Sequence, residues 1–82
     1  MKVVYFAWLR ERIGLSEEVV EADGLATVAD LVARLRDASE AHALAFEDMA
    51  AVRVAVNMKV ADYDAPLAGA TEVAFFPPMT GG

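Results

Sequence analysis

The stretch 75-FFPPMTGG-82 decides how the rest of the chain is read. Its two phenylalanines favour a strand, and the next two residues end one. Pro77 and Pro78 fix φ and lack the backbone N–H that a ladder needs, so pairing stops before them and the chain leaves extended. Gly81 and Gly82 carry no Cβ, so a carboxylate at Gly82 can enter a channel too narrow for any side chain. From Pro77 to Gly82 an extended tail reaches roughly 20 Å, at about 3.3–3.6 Å per residue. That is far enough to enter the active site of another protein. Two glycines alone more often mark a frayed end. Here the prolines, Met79, Thr80 and the preceding aromatic pair give the end a shape. The expected division is a folded domain over residues 1–76 and an extended tail over residues 77–82. A bare carboxylate is a poor reactant, but ATP can convert it into an acyl-adenylate. A sulfur donor that displaces AMP then leaves a thiocarboxylate, a sulfur nucleophile that needs no cysteine.

The chain has 82 residues, enough for one domain with a small core, which buries only about 60–65% of its unfolded surface. A hydrophobic share of 57% argues for a globular chain over a disordered one. The net charge of −6 weighs against nucleic acid and anionic membranes, which call for basic patches. Without cysteine there is no disulfide, zinc–thiolate site or thiol catalysis. The apolar run over residues 3–9 is too short to span a bilayer and makes a poor signal peptide, so a cytoplasmic location is expected.

Residues 2–9 (KVVYFAWL) are rich in β-branched and aromatic types and predict a first strand. Alternation puts Val3, Tyr5, Ala7 and Leu9 inward and Lys2, Val4, Phe6 and Trp8 outward. Exposed Phe6 and Trp8 would then mark an interface; the alternative is a strand buried on both faces. Residues 10–15 read as a turn around Gly14, and residues 17–22 as a short strand hairpinned to the first. Thr27 and Asp30 form a capping-box pattern ahead of Val28, Leu31, Val32 and Leu35, predicting a helix to about Ala38. Residues 39–48 read as a weaker helical segment anchored by Ala43, Leu44 and Phe46. His42 lies within it and has no ligand or carboxylate partner at sequence spacing, so neither a metal nor a catalytic role is assigned to it. Val52, Val54 and Val56 predict a third strand, a turn at Asn57-Met58 leads to a short fourth over residues 59–61, and the last strand covers residues 72–76. Asp62 and Asp64 around Tyr63 fit turn chemistry better than a cation site. On the last strand Val73 and Phe75 point inward; Phe76 points outward as a docking anchor for the tail or, alternatively, as a cap on the core edge. The result is a two-layer α+β domain with no metal site.

The order of elements with its terminal diglycine resembles the ubiquitin-like β-grasp family of sulfur carriers and protein modifiers. Within it, the chain is similar to the small subunits of molybdopterin synthase. The residues that carry the resemblance are VVYFAWLRERIG (3–14), AVN (55–57), Pro66-Leu67 and EVAFFPPMTGG (72–82). A diglycine is shared by several carriers, whereas FFPP, one residue and then TGG is specific to these subunits. The resemblance implies a β-grasp: a mixed sheet of about five strands on one main helix, with a short second helix and an extended C-terminal tail. It also implies no permanently bound cofactor. An E1-like enzyme would consume ATP to adenylate Gly82, a sulfurtransferase system would place covalent sulfur there, and the tail would enter the large subunit. There the sulfur would pass to cyclic pyranopterin monophosphate to build the molybdopterin dithiolene. The pterin-binding and acid–base residues would belong to the large subunit, leaving this chain without a catalytic constellation of its own. Thr80 and Gly81 would line the tail, and Phe6, Val60 and Phe76 would form the hydrophobic patch used on both partners. The turn before the last strand departs from the family, with Gly69-Ala70-Thr71 where Asp-Gly-Asp is common. Alternatives with the same fold are a thiamin-type sulfur carrier and a ubiquitin-like protein modifier; a passive binding module is the rival of another class.

Overall fold

The computed structural model describes residues 1–78. In chain order the elements are β1 (Lys2–Tyr5), α1 (Trp8–Ile13), β2 (Glu17–Val19), α2 (Val28–Ala38), α3 (Glu40–Ala45), a 3-10 turn (Met49–Ala51), β3 (Arg53–Val56), β4 (Lys59–Ala61) and β5 (Glu72–Phe76). The five strands form one mixed sheet in the order β2-β1-β5-β3-β4. The central strand β5 runs parallel to β1; the other neighbours are antiparallel. The α+β class, the five strands and the main helix are as expected.

The strand expected over residues 2–9 ends at Tyr5. Ala7 has φ 54 and ψ −132, a positive-φ conformation that breaks the pleat. Leu9 and Ile13 then meet the core four residues apart, as a helix requires. The turn expected around Gly14 is the end of that helix: Gly14 has φ 87, and its N–H donates to the Arg10 carbonyl at 2.8 Å. Arg12 lies 4.8 Å from the Trp8 ring, one turn along the same face. Leu9 is therefore buried, as the alternation expected, although a helix and not a strand carries it.

The second strand is also shorter than expected, three residues instead of six, because the chain beyond it is held by α2. Arg34 donates to the carbonyls of Glu21 at 2.8 Å and Asp23 at 3.0 Å. α2 begins at the expected capping box: Thr27 Oγ1 accepts from the Asp30 N–H, while Asp30 Oδ2 accepts from the N–H groups of Ala26 and Thr27. Those backbone donors hold the Asp30 carboxyl below its ordinary range. The next two free donors, Val28 and Ala29, are met by the carbonyls of Ala65 and Tyr63. The segment around Asp62 and Asp64 thus serves to close the helix end. Thr27→Ala should lower the melting temperature by about 4–8 °C, the effect of losing a cap worth ~1 kcal/mol in a domain this size; thermal unfolding followed by circular dichroism checks it.

α2 lays Val28, Leu31, Val32 and Leu35 on the sheet. The core adds Val3, Tyr5, Val54, Val73 and Phe75 from the sheet, with Phe46 from the end of α3. Phe46 meets the Phe75 ring edge-on at 5.0 Å, and Tyr5 stacks near Phe75 at 6.3 Å. Within the weaker helical segment the expected anchors shift by register. Leu44 is 52% exposed and Ala43 only half-buried, whereas His42 and Ala45 face the core with Phe46. In a six-residue helix one residue of rotation exchanges the buried and exposed positions.

Candidate functional site

The helices cover one face of the sheet and leave the other open. Register determines what that open face carries, since directly paired residues point the same way. Val4 of β1 pairs with Ala74 of β5, Ala74 with Ala55 of β3, and Ala55 with Val60 of β4. This row of small and aliphatic side chains crosses four strands. On the tail side of it Phe76 stands opposite Arg53, and Phe6, whose N–H donates to the Phe75 carbonyl at 3.0 Å, lies beside it. On the other side Lys2 bridges Glu17 at 3.5 Å and Glu72 at 3.8 Å. Of these side chains, all but Arg53 and Val60 shape an open cleft of about 480 Å³, with Met58 at its far rim.

The three patch residues expected from the sequence are thereby brought onto one surface. Phe6 is 48% exposed and Val60 79%, while Phe76 is half-buried between them and the core edge. Trp8, expected outward with Phe6, instead sits on α1 and packs partly against the core. The ladder stops after Phe76, and Pro77 and Pro78 follow outside any strand. Met79, Thr80, Gly81 and Gly82, the remaining tail positions, lie outside the described residues.

A second polar assembly was not visible from sequence spacing. Tyr5 donates to Glu18 Oε2 at 2.6 Å, and His42 Nε2 lies 2.7 Å from the same oxygen. Ser39 Oγ lies 2.6 Å from His42 Nδ1 and accepts from the His42 backbone N–H. One neutral tautomer satisfies every atom: Nε2–H donates to Glu18 while the Ser39 hydroxyl donates to Nδ1. Burial raises the Glu18 carboxyl, but the hydrogen bonds from Tyr5 and His42 outweigh it and hold the group below its ordinary value. Burial, then the bond to Glu18 and its charge, push the Tyr5 phenol far upward, so it remains a donor. The carboxylate partner of His42 comes from β2, 24 residues away in sequence. It ties β1, β2 and α3 together and is read as structural. Among the described residues no group of acidic or histidine side chains is placed to hold a metal ion. No helix among them is long and apolar enough to cross a membrane.

Comparison with known proteins places this geometry. A family model described as the ThiS family matches residues 3–82. The chain belongs to the ThiS family. Two curated relatives are each named molybdopterin synthase sulfur carrier subunit. The protein from Escherichia coli (strain K12) is 43% identical over 82 residues, covering 100% of this chain and 99% of the relative. The protein from Haemophilus influenzae (strain Rd) is 34% identical with the same coverage. Among solved structures, small archaeal modifier protein 1 of Haloferax volcanii superposes with a TM-score of 0.74 at 31% identity, covering 96% of this chain and 97% of that one. A putative molybdopterin converting factor, subunit 1, from Pyrococcus furiosus gives 0.72 at 29% identity, covering 95% of each. The ThiS-family chain is thus a ubiquitin-like β-grasp. Where Asp-Gly-Asp is common before the last strand, Gly69 supplies the left-handed turn at φ 78. Asn57 supplies the polar contacts: its Oδ1 accepts from the backbone N–H groups of Thr71 and Glu72, and its Nδ2 donates to the Gly69 carbonyl.

Proposed function

We propose that this chain is the sulfur-carrier subunit of a molybdopterin synthase. The observation that carries the reading is its likeness, over the full length of both chains, to a curated protein of that name at 43% identity. The reading takes Gly82 as the terminal residue. Its carboxylate attacks the α-phosphate of ATP on an E1-like activating enzyme, releasing pyrophosphate and forming an acyl-adenylate. A persulfide on a sulfurtransferase displaces AMP to give an acyl disulfide, and a thiol reductant cleaves its S–S bond to leave the thiocarboxylate. The tail then enters the large subunit, and its sulfur attacks a carbon of cyclic pyranopterin monophosphate, forming a C–S bond as that carbon's C–O bond breaks and the oxygen leaves as hydroxide or phosphate. Water releases the acyl group and restores the carboxylate. Two sulfurs make one dithiolene, so each product needs two charged tails.

The division of labour follows from the residues. Pro77 and Pro78 hold the start of the tail away from the sheet, and Thr80, Gly81 and Gly82 are the narrow part that enters the partner. Phe6, Val60 and Phe76 provide the apolar docking patch at the tail's root, where fixed aromatic side chains contribute most to affinity. Chemistry on the pterin falls to the large subunit, since this chain contributes only its terminal carboxyl group. A cytoplasmic site of action fits a carrier that depends on ATP and holds sulfur without cysteine.

A second reading, a protein modifier, is favoured by the likeness to small archaeal modifier protein 1. Intact-mass measurement separates the two. After incubation with ATP, activating enzyme and a sulfur source, the carrier reading expects a mass gain equal to sulfur replacing oxygen, reversed when pterin precursor and large subunit are added. An unchanged mass overturns it; isopeptide conjugates on lysines of other proteins establish the modifier instead.

A further inference from the structure

The β3–β4 hairpin turns on Asn57 and Met58, and both have positive φ, 48 and 69. A tight two-residue turn of this kind ordinarily takes asparagine followed by glycine, because only glycine adopts the second position without steric cost. The asparagine is accounted for by the fold. Its side chain holds the start of β5 through three accepted hydrogen bonds and one donated. The methionine is not. It is 88% exposed, the highest value among the large apolar side chains of the described residues. Nothing in the domain therefore rewards a side chain at this strained position. Backbone strain that the fold does not use is a pointer to function.

Where the side chain stands says which function. Met58 forms the far rim of the open cleft, facing Val4, Phe6, Ala74 and Phe76 across the sheet. Phe76 leads directly into Pro77 and Pro78, so a protein that encloses the chain beyond Pro78 must lie against this same face. The Asn57 clamp fixes the turn to β5, which makes Met58 a rigidly mounted but pliable apolar arm at the end of the patch opposite the tail. Methionine adapts to an irregular facing surface better than a branched side chain.

Resting on the carrier reading above, we infer that Met58 is a partner-specificity residue: its strained backbone is retained so that its side chain closes the cleft over an aliphatic or aromatic side chain of the subunit that accepts the tail. The footprint of that subunit then spans the whole open face, from the root of the tail to the hairpin tip.

The test compares the full-length chain with Met58→Gly and Met58→Leu, measuring thermal melting of each alone and affinity for the large subunit from the same organism by calorimetry. Glycine relieves the left-handed strain, so Met58→Gly should melt about 2–6 °C higher yet bind about tenfold more weakly. Met58→Leu should melt as the parent does and bind within about threefold of it. Unchanged affinity of Met58→Gly overturns the inference, as does a melting temperature that fails to rise. Self-association of the parent that Met58→Gly abolishes also overturns it, by making the face an interface between copies of this chain. Should the parent itself show no affinity for the large subunit, the carrier reading fails, and the inference with it.

Discussion

Under the proposed carrier function, deletion of Gly82 is expected to abolish pterin sulfuration, with a loss of at least about 10²-fold, and to leave the melting temperature within about 1 °C of the parent. The loss follows from reach. Shortening an extended tail by one residue withdraws the carboxyl group by roughly 3.3–3.6 Å, more than the tolerance of a reacting geometry. Both proposed steps, adenylation and sulfur transfer, would be affected, because each would need the same atom in a site that belongs to another protein. The unchanged stability follows from the fold. Among the described residues, every strand pairing lies at or before Phe76 and every core side chain at or before Phe75. Dithiolene formation assayed with activating enzyme and large subunit gives the first quantity, and a calorimetric melt of the isolated chain the second. Sulfuration by the shortened chain at the parent rate would remove the terminal carboxyl from the mechanism.

Glu18→Ala lowers stability by about 2–4 kcal/mol, because it strands two buried donors at once, the Tyr5 hydroxyl and His42 Nε2. In a chain this size, whose whole margin is about 4–12 kcal/mol, that moves the melting temperature by roughly 10–25 °C. The effect carries a pH signature. In the folded chain the Glu18 carboxyl is held below its ordinary value of 4.5, whereas in the unfolded chain it titrates near that value. As pH falls, the unfolded state takes up the proton first. Glu18 therefore contributes fully above about pH 4.5, and its contribution fades as pH drops through the lower folded value. Melts of parent and variant should be well separated near neutral pH and converge in acid. Curves that stay parallel down to about pH 3 would show that the carboxylate charge does not hold this junction together.

Most of the sheet could be read because period-two alternation and turn chemistry agreed along it. β4 and β5 have the expected bounds, and α2 begins and ends where Thr27 and Ala38 said it would. What escaped had physical causes. The β-forming letters of residues 3–8 run without a break into α1, and only the spacing of Leu9 and Ile13 ahead of Gly14 betrays the change of period. His42 looked partnerless because its carboxylate arrives from a neighbouring strand in the fold, 24 positions away in sequence. Leu44 outranked Ala45 by hydrophobicity, yet the smaller residue fits beneath α3. The outward set Val4, Phe6, Ala74 and Phe76 was legible from alternation; that Met58 completes it was not, since turn residues have no assigned face.

The parallel pairing of β1 with β5 has a consequence for how the molecule is made. A ribosome that has yet to deliver residues 72–76 holds two unjoined ribbons, β1 with β2 and β3 with β4, and no sheet wide enough to seat α2. The domain closes only when β5 slots between β1 and β3, so folding waits for translation of residues 72–76. That same strand runs without a spacer into Pro77. Under the proposed carrier function, a molecule whose sheet has not closed would lack the mount for Phe76 and Pro77, and closure would act as an admission check before activation.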